Sequence, residues 1–177
     1  WNAEGTHWTQ SFDTGVARLH MLMNLEDPIG PHGVSKMQPY FDDVMAPLRA
    51  AIEALQPTLL VGASGSFDTV AAMMGTRTHR SRPDHAQTPE AHPVTDPTSL
   101  EAWPDLFTRL TTQNAHSRAA MPGMDPARVD LMPYSAALIG WVLHHGCLRE
   151  MCRAPYALRE GVLSRIERGL PLLPPLG

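Results

Sequence analysis

Apolar residues recur at helical spacing over Val16–Met23, where Val16, Leu19, Leu22 and Met23 share one face. Just upstream, residues 8–12 run aromatic, Thr, Gln, Ser, aromatic and close on Asp13-Thr14-Gly15, a pattern that predicts a strand. Asp27-Pro28-Ile29-Gly30-Pro31 breaks the first helix. A long amphipathic helix is predicted over residues 34–55, with Phe41, Val44, Met45, Leu48, Ile52 and Leu55 in one stripe. Pro39 fits an opening turn of that helix, and Pro47 predicts a kink or break. Residues 58–61 form a short β-rich run. It ends in Gly62-Ala63-Ser64-Gly65-Ser66, and a helix follows over 67–74.

Farther on, Trp103, Phe107 and Leu110 predict a helix over residues 100–110, and residues 114–121 a second short one. Asp125-Pro126 carries a favoured N-cap followed by a favoured first helical residue. The helix it opens, over residues 128–145, is apolar nearly all round and so is expected in the core. A strand over 148–153 and a helix over 157–168, ended by Gly169, complete the pattern. Strands alternating with helices mark an α/β class with crossover connections. Residues 76–97 are polar and read as a surface loop on a single domain spanning 1–177.

Composition narrows the picture. A chain of 177 residues with 43% hydrophobic content can bury a full core without staples. Cys147 and Cys152 are too few for a disulfide framework and read as reduced core thiols, which suits a cytoplasmic protein. No secretory signal pattern and no membrane-length apolar run is seen. Net charge is −4 without a basic stripe, which argues against a nucleic-acid partner. Lys36 is the one lysine, so any anion site must rely on Arg and backbone N–H groups.

The most informative chemistry lies in residues 58–69. A turn built of Gly62, Ala63, Ser64, Gly65 and Ser66 lets backbone approach a ligand, and the helix behind it presents unpaired N–H groups and a positive dipole end. Together these fit a phosphate-sized anion. The plainer reading is a tight strand-to-helix turn with Ser66 as N-cap. No lysine completes a Walker loop, and Ser66 stands where a nucleophile elbow needs Gly. Asp68 complements the helix dipole or reaches a phosphate through a cation.

Arg18, one turn into the first helix, either aims at an anion or is simply solvated. Arg128, in a helix entrance, opposes the dipole and so needs a partner, either a carboxylate such as Asp130 or a bound phosphate. Arg159 and Glu160 read as a structural ion pair. The histidines show no metal-ligand spacing, and the methionines fall mostly on apolar stripes as core filler.

In their order, four segments resemble the exopolyphosphatase/guanosine-pentaphosphate phosphohydrolase (Ppx/GppA) family. They are Ser11-Phe-Asp-Thr-Gly-Val-Ala-Arg-Leu19, the Gly-Ala-Ser-Gly-Ser-Phe-Asp turn, Met121-Pro-Gly-Met-Asp-Pro-Ala-Arg-Val-Asp130 and Leu158-Arg-Glu-Gly-Val-Leu163. The match covers roughly residues 8–168, and its last two blocks are the most specific.

The resemblance implies the C-terminal, second lobe of a ribonuclease-H-like fold of the actin/Hsp70/acetate-kinase type, with a mixed sheet flanked by helices. It implies removal of a terminal phosphate from polyphosphate or guanosine pentaphosphate, with Mg²⁺ and a water activated by a Glu. The family's catalytic Glu and its Asp-x-Gly-Gly-Gly-Ser phosphate loop lie upstream of the segments matched here. The expectation is therefore a half-cleft that is inactive without the missing N-terminal lobe, with Gly62, Ala63, Ser64, Gly65, Ser66, Arg18 and Arg128 on the phosphate side. Asp130, Arg159 and Glu160 support them, and no catalytic or metal-binding residue is expected in this segment. A non-catalytic polyphosphate or alarmone sensor of the same fold is the alternative, and an actin-like sugar or acetate kinase a third reading that lacks the Arg-x-Asp and Leu-Arg-Glu-Gly blocks. A homodimer contact on the apolar helix over 128–145 also fits.

Overall fold

The computed structural model describes residues 5–75, 98–146, 148–154 and 158–169. In chain order these form α1 (Val16–Met23), α2 (Gly30–Val44), α3 (Ala46–Leu55), β1 (Leu59–Ala63), α4 (Gly65–Met73), β2 (Thr98–Ser99), α5 (Trp103–Thr112), α6 (Ala115–Ala119), α7 (Met132–His145), β3 (Glu150–Ala154) and α8 (Leu158–Glu167). The polar segment 76–97, Cys147 and the side chains of Arg159 and Glu160 lie outside the described residues.

A mixed three-stranded sheet in the order β1-β3-β2 forms the spine. β1 and β3 run parallel, with Leu59 opposite Glu150 and Gly62 opposite Arg153. β2 pairs antiparallel to β3. A parallel pair needs a crossover, and the helices between β1 and β3 supply it. Side chains alternate along β1. Gly62 is buried and Leu60 packs on the core, while Leu59 and Val61 are 37% and 48% exposed.

Two apolar clusters hold the helices together, and α7 supplies both. Met132, Ala136 and Ile139 meet Val70, Leu106, Leu110 and Met151 on one side. Tyr134, Ala137 and Trp141 meet Leu19, Met37, Phe41 and Met45 on the other. Each large apolar side chain buried in this way contributes about 1.5–3 kcal/mol. The all-round apolar pattern of α7 is thus the pattern of a helix between two layers. The indole N–H of Trp141 donates to Asp42 at 2.9 Å, which satisfies the polar edge of a buried ring.

Several predicted elements shift. Residues 8–12 form no strand, because no described segment offers them a ladder. The long helix divides at Met45, and Pro47 lies in the first turn of α3, where its missing N–H costs nothing. Pro39 sits inside α2, because that helix begins already at Gly30. Asp125 does cap, accepting from the Ala127 N–H at 2.9 Å, but what it caps is a 3₁₀ turn, Pro126–Arg128. The α-helix starts only at Met132. Cys152 is free and buried in β3; burial, and secondarily the charge of Glu150, push its thiol pKa up.

Candidate functional site

β1 delivers the chain into the turn and α4 carries it away. Gly62 closes β1 against the ring of Phe67, which fills the space that a side chain at 62 would take. Ser64 bridges strand and helix with a φ of 85°. A non-glycine residue in that region stores about 1–3 kcal/mol of strain. Ser64 stands at the N-cap position, yet its side chain makes no capping hydrogen bond to α4. The expected cap from Ser66 is not made: its hydroxyl shares a 2.9 Å hydrogen bond with that of Ser135 on α7. Farther along the helix, the Thr69 hydroxyl donates to the Gly65 carbonyl at 2.9 Å. The first turn of α4 is therefore tied down by side chains that leave its amide end uncapped.

Arg128 reaches this turn from the segment before α7. Its guanidinium lies against Gly65, in the volume a Cβ there would occupy. Its carboxylate partner is Asp125, with Nε 3.3 Å from Oδ2, and not Asp130 as the sequence suggested. The side chain is 35% exposed. Asp130 instead lines a small pocket with His20, Glu26, Asp27 and Arg118.

The Pro122-Gly123 bend brings the loop in. Gly123 has a φ of 83°, and a Cβ there would stand 2.7 Å from the Ala72 carbonyl carbon. Backbone meets backbone at that point, which only glycine permits. The Met121–Arg128 block is thereby laid along α4, and its Arg ends over the first residue of that helix.

A second guanidinium flanks the turn. Arg153 sits opposite Gly62 in the sheet register and donates to Asp68 at 2.9 Å. Asp68 lies in the first turn of α4. Sequence reading missed this pair, because its members are joined only by the parallel pairing of β1 with β3. Arg18 forms an ion pair with Asp13 inside its own segment and is 55% exposed. The structure thus brings Gly65 and Arg128 together and adds Arg153, while Arg18 is engaged by Asp13.

An uncapped helix end with two guanidinium groups beside it suits an anion. Each guanidinium also has a carboxylate at hand, Asp125 or Asp68, so an incoming anion must compete with those partners.

Residues 4–169 match the Ppx/GppA phosphatase family. The chain belongs to that family. Among solved structures it is similar to an exopolyphosphatase from Cytophaga hutchinsonii, with 32% identity and a TM-score of 0.77, over 97% of this chain and 53% of that one. A Ppx/GppA family member from Aquifex aeolicus shares the fold at 14% identity and a TM-score of 0.60, covering 88% of this chain and 47% of that one. The type II variant of the Aquifex aeolicus Ppx/GppA phosphatase does so at 15% identity and a TM-score of 0.56, covering 84% of this chain and 46% of that one. The chain spans about half the length of these structures. No curated protein matches it. The actin-like, ribonuclease-H-type α/β fold expected of a Ppx/GppA phosphatase is the one found.

Proposed function

We propose that this chain forms the C-terminal wall of a phosphohydrolase cleft that removes the terminal phosphate from polyphosphate or guanosine pentaphosphate. The observation that carries the reading is the seat of Arg128 on Gly65 at the uncapped start of α4. A guanidinium held beside unpaired amides recognises phosphate oxygens by charge-assisted hydrogen bonds. Similarity to an exopolyphosphatase at 32% identity supports the substrate class.

In this reading the chain binds and orients the anion. Arg128 neutralises charge and the α4 amides fix the oxygens, which is the protein's main work in phosphoryl transfer. The activated water and its Glu belong to the upstream half. The Mg²⁺ that accompanies the phosphate chain is, in this reading, held by the upstream half. β1 offers a docking edge for the other half: it ends the sheet among the described residues, with Leu59 and Val61 exposed.

The test is phosphate release from polyphosphate and from guanosine pentaphosphate by the full-length polypeptide with Mg²⁺. Arg128→Ala is expected to lower kcat/KM by roughly 10- to 100-fold, the worth of one hydrogen bond between charged partners. Unchanged turnover in that variant would remove the assignment. Calorimetric binding of polyphosphate without turnover would favour the sensor reading instead.

A further inference from the structure

We propose that Arg118 is a positioning residue that holds Arg128 in its seat by way of the Val129 carbonyl. The inference rests on the reading of Arg128 given above. Arg118 lies on the five-residue helix α6, yet its side chain is 1% exposed. Buried guanidinium groups are costly unless every side is engaged. Here Nη1 donates to Asp27 Oδ1 at 2.6 Å and also to the Gln113 carbonyl, while Nε donates to the Val129 carbonyl at 3.0 Å. The second oxygen of Asp27 accepts the Ala115 N–H at 2.6 Å. One side chain therefore ties together the α1–α2 link, the end of α5 and the residue that follows Arg128.

The placement of these ties gives them a role. The segment carrying Arg128 is fixed at its entrance, where Gly123 abuts Ala72. Between the entrance and α7, the turn bonds mainly to itself: Arg128 N–H to the Asp125 carbonyl, and Leu131 N–H to the Arg128 carbonyl. Such local bonds set the shape of the turn but not where it sits. The Arg118–Val129 bond supplies that second fixed point, one peptide beyond Arg128. With both ends held, the guanidinium falls on Gly65. With the exit released, the turn keeps its shape and the guanidinium is no longer centred there.

A purely structural Arg118 would lower stability and leave phosphate recognition alone, and a double-mutant cycle in the full-length enzyme separates the two. Arg118→Lys keeps the charge beside Asp27 but loses the fork that reaches Val129. It is expected to raise KM for polyphosphate about fivefold, and that increase is expected to vanish in an Arg128→Ala background. An equal rise in both backgrounds overturns the proposal, as does a lowered melting temperature with KM unchanged. Should Arg118→Lys fail to fold, Asp27→Asn carries the same cycle, since it weakens the group that orients the guanidinium. If Arg128→Ala itself leaves KM and kcat untouched, the cleft assignment fails first and the positioning role with it. A clear Arg128 effect without coupling to position 118 sinks the positioning role alone.

Discussion

The guanidinium of Arg128 occupies the space that a side chain at Gly65 would need. Glycine at 65 is therefore explained by a neighbouring side chain within the same chain. Its φ is not in the left-handed region, so alanine there adds no left-handed strain, and the atoms nearest its Cβ belong to the Arg128 side chain.

Gly65→Ala should accordingly act on function more than on stability. The obstructing group is the far end of a long side chain, which can swing away. The expected stability loss is below about 1 kcal/mol, because a movable neighbour relieves overpacking. On the proposed function, phosphate release by the full-length polypeptide should fall toward the level of Arg128→Ala. Urea midpoints beside kcat/KM decide it; a large midpoint shift with full activity contradicts the assignment.

Gly123→Ala should do the opposite. The atoms in its way are the backbone of Ala72 and Met73, which cannot turn aside, and the positive φ adds strain. A loss of at least about 2 kcal/mol is expected from overpacking and backbone strain together. Denaturant titration of the protein measures it, and a loss below half that figure would show that the bend is looser than drawn.

The Arg153–Asp68 pair joins β3 to the first turn of α4 across 2.9 Å. Asp68 is half exposed, so solvent screening keeps the coupling small, on the order of 0.5–1 kcal/mol. A cycle of Arg153→Met and Asp68→Asn read by thermal unfolding should return a value in that range and shrink it in high salt. A coupling insensitive to salt would mean that the contact works by packing instead.

Cys152 should resist thiol reagents in the folded state, since burial and then Glu150 raise its pKa. A raised folded pKa favours the protonated native form. Its contribution is complete below the ordinary thiol value of 9.0 and fades as pH climbs through the higher folded one, because the unfolded chain loses its proton first. In a Cys147→Ala background, labelling at neutral pH should be slow and should accelerate on unfolding. Rapid labelling of native protein would contradict the buried placement.

Helices whose apolar stripe faces a layer of the core were legible from spacing alone. The stripe over 16–23 gave α1, and Pro47 gave the division between α2 and α3. The capping role of Asp125 was legible too, because a cap is a local bond. What failed depended on distant partners. Residues 8–12 have strand composition, yet a strand exists only where another one meets it. Asp68 and Arg153 are brought together by a parallel pairing that no local pattern encodes. Arg118 carries no local signal in the sequence; its burial follows from Asp27 and Val129 converging on it. For the site, the sequence pointed at Gly65 and Arg128 separately, and the order of family blocks linked them. Their direct contact required the backbone approach at Gly123.

The outer edge of β1 has a consequence for biogenesis. Exposed Leu59 and Val61, on the strand that ends the sheet among the described residues, are a template for adhesion between molecules. In a polypeptide that carries an upstream half, that half leaves the ribosome first and is already folded when β1 emerges. Vectorial synthesis would then shield the sticky margin at birth, whereas separately produced halves would have to find each other before like adheres to like.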